Sequence, residues 1–154
     1  MKKAFAVTLA LGLALAMPGG VSAKPGTTKI VITGGRLTRP LEVTDPNVLK
    51  HFSVWHGYLG GTRVTTSPSG EPGPYEVSFH VKFSDTDVRM AYVAYYHPRP
   101  SGERGYFYLP RRGEKWHDFN ASTIQQATGW FHASREWDAL IKPLIEGAEA
   151  RQRH

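Results

Sequence analysis

Residues 75 to 96 read Tyr-Glu-Val-Ser-Phe-His-Val-Lys-Phe-Ser-Asp-Thr-Asp-Val-Arg-Met-Ala-Tyr-Val-Ala-Tyr-Tyr. Tyr75, Val77, Phe79, Val81 and Phe83 alternate with Glu76, Ser78, His80 and Lys82, the period of two that aims one set of side chains at a core. After the polar turn Ser84-Asp85-Thr86-Asp87, the residues Val88, Met90, Tyr92, Ala94 and Tyr96 alternate in the same way. Two such runs around a short polar turn predict a hairpin. Its expected register sets Phe83 opposite Val88, Val81 opposite Met90, Phe79 opposite Tyr92, Val77 opposite Ala94 and Tyr75 opposite Tyr96. A slip of one residue would exchange the faces. Ala91, Val93 and Tyr95 make the other face of the second strand apolar as well, so this strand is expected to lie centrally, covered on both sides.

Working outward, Tyr106 to Leu109 reads as a third strand and Lys115 to Phe119 as a fourth, joined by the turn Pro110-Arg111-Arg112-Gly113. Upstream, Thr28 to Thr33 is β-branched and ends at Gly34-Gly35, a turn pair, with Leu41 to Thr44 returning beside it. Asp45-Pro46 is an N-cap followed by proline at the first helical position, which starts a short helix carrying Val48, Leu49 and Phe52. Gly60 to Pro74, with three prolines near its end, is expected to be a long connection. Ser122 and Gln125 form a capping-box pattern for a helix over 123–128, stopped by Gly129. Ser134 caps a last helix in which Trp137, Leu140, Ile141, Leu144 and Ile145 recur at helical spacing, with a kink at Pro143 and a frayed tail at 151–154. The expected class is α+β: an antiparallel meander or sheet of four to six strands with the C-terminal amphipathic helix on one face. A β-sandwich or small barrel with a trailing helix is the alternative.

The chain has 154 residues, 40% of them hydrophobic and 21% charged, with 19 Lys and Arg against 13 Asp and Glu. That length and balance exclude a disordered tail and predict one folded domain. Met1-Lys2-Lys3, the apolar run Ala4 to Met17, Pro18-Gly19-Gly20 and the small residues Val21-Ser22-Ala23 read as a secretory signal peptide over 1–23, cut after Ala23. The run is too short to span a bilayer comfortably, so no transmembrane segment is expected after cleavage, and 24–154 is expected to be a single globular domain, secreted or periplasmic. With no cysteine in the sequence there is no disulfide framework and no lipid-modified cysteine.

The seven histidines are not spaced as a zinc helix requires, since His51 and His56 are five apart, and no metal or cofactor is expected. Trp116-His117-Asp118 sets a base beside a carboxylate, with Ser122 and Ser134 as hydroxyls elsewhere; on a strand, however, His117 and Asp118 would point to opposite faces. Gly-x-Ser-x-Gly, Walker and dinucleotide fingerprints do not occur. The basic residues give the more specific spatial expectation. In the hairpin register Lys82 faces Arg89, and Arg111, Arg112 and Lys115 emerge at the same end of the meander, with Trp116 as a flat apolar contact. These six residues form an expected anion-facing rim.

The stretches Ile30-Val31-Ile32-Thr33-Gly34-Gly35, Leu41-Glu42-Val43-Thr44-Asp45-Pro46 and Gly105-Tyr106-Phe107-Tyr108-Leu109-Pro110 resemble those of a group of exported bacterial proteins of unknown function. The resemblance covers most of 24–154 and implies no activity. The expected function is that of a noncatalytic binding module, associated with the envelope or extracellular, whose partner is an anionic envelope polymer or another exported protein rather than nucleic acid. Two alternatives stand beside it: a small secreted hydrolase using His117 with an acid or hydroxyl from elsewhere, and a protease-inhibitor or partner-binding module presenting the loop Pro98 to Gly105.

Overall fold

The two alternating runs form the longest strands of the computed structural model, β4 (Tyr75–Ser84) and β5 (Asp87–His97). The structure describes residues 26–52, 60–65, 68, 73–122 and 127–153; the signal peptide expected over 1–23, His56 and most of the helix expected over 123–128 lie outside them. Around the hairpin, β1 (Thr27–Gly34), β2 (Leu41–Val43), β3 (Gly60–Arg63), β6 (Tyr106–Leu109) and β7 (Gly129–Ala133) complete a seven-stranded open sheet in the order β2-β1-β4-β5-β6-β7-β3. Every pairing in it is antiparallel. With α1 (Pro46–Leu49), α2 (His117–Ala121), α3 (Arg135–Leu140) and α4 (Lys142–Gln152), the architecture is α+β.

Three segments depart from expectation and together change the composition of the sheet. Gly60–Arg63, expected as part of a connection, is the edge strand β3 on β7. Lys115 to Phe119 is not a strand: Trp116 takes a left-handed conformation at φ 72° and starts α2. Gly129, expected to stop a helix, opens β7 at φ 93°. In each case a short polar or glycine-containing segment carries too little periodicity to reveal its state, and pairing with a distant strand decides it.

The hairpin register is as expected from Tyr75↔Tyr96 through Phe79↔Tyr92 and then departs from it. His80 faces Met90, so Ala91 is the extra residue of a bulge; a second irregularity leaves Phe83 unpaired and restores the register at Ser84↔Asp87. Between the bulges Lys82 therefore faces Val88, and Arg89 faces Val81. The core ends at Val81: Phe83 and Val88 at the tip are 53% and 50% exposed. Alternation fixes a residue's face only while pairing stays one to one, and two unpaired residues break that condition.

One face of the sheet is covered by α1 and by α3 and α4, which meet in a bend at Ile141, just before Pro143. Ser134 caps α3 by accepting the Trp137 N–H at 3.0 Å. Trp137 is fully buried, with the rings of Phe107, Phe52, Tyr96 and Phe79 at centroid distances of 4.7, 5.3, 5.6 and 6.0 Å. Ile141 and Ile145 continue the buried stripe, whereas Leu144 is exposed.

The C-terminal turns are bound rather than frayed through Gln152, because their polar side chains hold the β1–β2 loop. The Glu149 carboxylate is 2% exposed, accepts the Tyr75 hydroxyl and the Arg36 N–H, and pairs with the Arg36 guanidinium at 2.9 Å. Gln152 Oε1 accepts the N–H groups of Thr38 and Arg39 at 2.7 and 3.1 Å. Burial opposes the Glu149 charge, but the Tyr75 hydroxyl and Arg36 outweigh it and hold the carboxyl below its ordinary range.

Trp137→Ala should cost about 3–5 kcal/mol, as for a large aromatic removed from a packed core, and Phe83→Ser less than about 0.5 kcal/mol; urea denaturation measures both. Burial also lowers the affinity of His80 and His97 for a proton, with Lys29 and Arg99 respectively adding to it. Each of Glu149, His80 and His97 makes the unfolded chain bind more protons than the folded one, so stability falls with acid. The loss should begin as pH drops below about 6.5, through the histidines, and steepen below about 4.5 as Glu149 protonates. Glu149→Gln should flatten the lower step in melting curves taken across pH.

Candidate functional site

The face of the sheet opposite α3 and α4 carries α2 and a network of charged and aromatic groups. The α2 segment is fixed to it by Asn120, which is buried. β6 pairs with β5 only from Tyr95 to His97, and Asn120 takes the place of the missing strand beyond. Its Oδ1 accepts the Val93 N–H at 2.8 Å, and its Nδ2 donates to the Val93 carbonyl at 2.7 Å. The satisfied amide holds down a helix too short to be stable alone.

At the start of α2 the Trp116 indole donates to Glu76 Oε2 at 3.0 Å, and Lys115 Nζ donates to the same oxygen at 3.0 Å. Lys115 also lies 4.7 Å from the Trp116 ring centroid. Glu76 holds the Lys115 ammonium more firmly protonated than usual. Beside this group, the Tyr108 hydroxyl donates to Glu114, which also accepts the Arg111 N–H at 2.8 Å. Burial and the Glu114 carboxylate push the Tyr108 hydroxyl up to about 12.

The six residues expected to form one rim fall into two groups. Lys82 and Arg89 lie at the hairpin tip, where Lys82 pairs with Asp85 at 2.7 Å and Arg89 grips Asp87 with Nη2 and Nε, both at 2.7 Å. Arg111, Arg112, Lys115 and Trp116 belong to the loop that folds back over the open face. Lys115 is held at Glu76, six residues from Lys82 along β4, about 20 Å at strand spacing. Of these cations, Lys82, Arg89 and Lys115 are ion-paired.

Arg111 and Arg112 have no carboxylate within ion-pair distance among the described residues, and Arg63 approaches Arg111. Arg63 on the edge strand donates from Nη2 to the Thr128 carbonyl at 3.3 Å. A β-carbon added to Gly129 would stand 3.7 Å from Arg111 Nη2 and 3.9 Å from Arg63 Nη2, so two guanidinium groups converge over one glycine. The Arg111 guanidinium also lies 6.0 Å from the Tyr108 ring centroid. Arg63 escaped the sequence reading because its segment has no strand periodicity; only pairing with β7 brings it here.

The groups considered for catalysis are placed as follows. His117 Nδ1 lies 2.8 Å from Asp118 Oδ1, contrary to the expectation for a strand, because the segment is helical; Asp118 is 99% exposed. Ser122 Oγ donates to the Phe119 carbonyl, and Ser134 Oγ is the cap of α3. A further pair, Ser78 Oγ and His80 Nε2 at 3.2 Å, arises on β4 because residues two apart share a face. Both residues sit mid-strand between β1 and β5, where the backbone N–H groups serve the ladders. The loop Pro98 to Gly105 is strapped to the body of the protein through Arg99, Arg104 and Gly105.

Among the described residues there is no group of three His, Asp or Glu suited to a metal ion, and no helix long and apolar enough to cross a membrane. No family model, no curated protein and no solved structure matches the chain.

Asn120→Ala should destabilise the protein by about 2–4 kcal/mol, since it leaves both polar groups of Val93 unpaired in a buried place. Urea denaturation checks the magnitude, and faster exchange of the Val93 amide checks the cause.

Proposed function

We propose that the chain is an exported, noncatalytic binding module that meets anionic material of the cell envelope or the extracellular space through Arg63, Arg111 and Arg112. The observation that carries this reading is the convergence of the Arg63 and Arg111 guanidinium groups over Gly129, with no carboxylate in ion-pair range of either among the described residues. Two like charges held together repel, and an anionic group between them relieves that repulsion while taking planar, two-point hydrogen bonds. Lys82, Arg89 and Lys115 of the expected rim, by contrast, each spend their charge on a carboxylate. Phosphate, sulfate and carboxylate groups along a polymer fit this chemistry, and a polymer would engage the exposed Arg112 as well.

Retention of the purified protein on beads bearing a polyuronate or a polyphosphate tests the reading. At low ionic strength the unmodified chain should be retained and should elute as salt shortens the electrostatic range. The double variant R63Q/R111Q should bind at least about tenfold more weakly, whereas K82Q/R89Q should behave as the parent. Equal retention of all three proteins, or none by the parent, would overturn the proposal.

A further inference from the structure

We propose a second and smaller binding site, independent of the arginine cluster, in the cleft between the β5–β6 loop and the bend of α3 and α4; its ligand is a hydroxylated anion of sugar size, a sugar acid or a sugar phosphate. The cleft is an open hollow of about 480 Å3, and its lining includes Ser101, Gly102, Arg104, Arg135, Asp138 and Lys142. That volume lies within the ordinary range for small-molecule sites, roughly 300–1,000 Å3. It opens beyond Ala133, at the opposite end of β7 from Gly129, so one ligand of this size does not reach both sites.

The charge of the cleft follows from how its cations are held. Arg104 Nε donates to the Ala133 carbonyl at 3.0 Å, joined by Nη2 of the same guanidinium. Lys142 Nζ donates to the Arg99 carbonyl at 2.6 Å. A carbonyl orients a cation without cancelling its charge, so both positive charges remain available. Arg135 is exposed and has no carboxylate partner among the described residues. Glu103, the other acid in the lining, is tied to Arg99 at 2.9 Å.

Asp138 supplies the second half of the recognition. Its Oδ1 accepts the Tyr96 hydroxyl at 2.7 Å and its Oδ2 the Gly105 N–H at 3.0 Å. These two bonds fix the carboxylate in place, and each oxygen keeps lone-pair capacity for a further donor. The anchoring is tight: a β-carbon on Gly105 would come within 2.7 Å of the Tyr96 ring and 3.0 Å of Asp138 Oδ1. A fixed acceptor beside three cations suits a molecule that carries both hydroxyl groups and negative charge. Among the described residues Ala139 is the sole apolar side chain of the lining and no aromatic ring lines it, which disfavours an apolar or stacking ligand.

Calorimetric titration of the whole protein with glucuronate, glucose 6-phosphate, glucose and inorganic phosphate tests the assignment. Glucuronate or glucose 6-phosphate should bind with Kd of about 0.1–5 mM, and glucose at least about tenfold more weakly. The tighter of the two acids tells a carboxylate source from a phosphate source. R135Q changes an exposed side chain and leaves the fold intact; it should weaken binding about tenfold, as should K142Q, while R63Q/R111Q leaves it unchanged. The proposal is overturned if neither acid binds below about 10 mM, if glucose binds equally well, if phosphate alone matches glucose 6-phosphate, or if R135Q binds like the parent.

Discussion

The packing of Trp137 against the sheet is the constraint on which the rest of the structure depends. A six-residue helix such as α3 has no stability of its own. It persists because Ser134 satisfies its first turn and because the indole occupies a chamber walled by Phe52, Phe79, Tyr96 and Phe107, contributed by four separate elements or their flanks. Once Trp137 is seated, the next residue has little choice. Asp138 lies against Tyr96 and Gly105, which draws the β5–β6 loop onto the helix, and the cleft with its oriented cations follows from that closure.

The two faces of the sheet obey different rules. On the helix face, burial is nearly complete and Glu149, the one buried acid among the described residues, is satisfied by Tyr75 and Arg36, which also fastens α4 to the β1–β2 loop. On the opposite face, polar groups are shared out along short paths: Glu76 to Lys115 and Trp116, Glu114 to Tyr108 and the Arg111 backbone, Asn120 to Val93. Such sharing leaves little free charge on this face, whereas the Arg63 and Arg111 guanidinium groups over Gly129 have no acid within ion-pair reach among the described residues. The position of the acids, more than the number of arginines, decides which cations stay unpaired.

Legibility in the sequence tracked the strength of local pattern. The alternation from Tyr75 to Val81 and from Tyr92 to Tyr96, the cap-and-proline start of α1, the Ser134 cap and the stripe Trp137, Ile141, Ile145 are repeated, mutually consistent signals, and each of these elements was foreseeable. Gly60–Arg63 and Gly129–Ala133 are short strands whose glycines weaken any β preference, and they form because partners distant in sequence offer a ladder. Lys115 to Phe119 has the composition of a strand, yet it leads into α2, whose Asn120 satisfies the free edge of β5. Arg111 and Arg112 were legible as a paired basic turn, whereas the approach of Arg63 to Arg111 was not.

By itself the sequence determined the class of the fold and the identity of most core positions, because covalent geometry fixes which side chains share a face of a strand or helix. Only the tertiary structure decided which distant charges meet. Lys115 and Glu76 lie 39 residues apart in the chain, and Arg36 and Glu149 lie 113 apart, yet each pair closes to within about 4 Å; the two bulges that separate Lys82 from Arg89 leave no trace in the alternation.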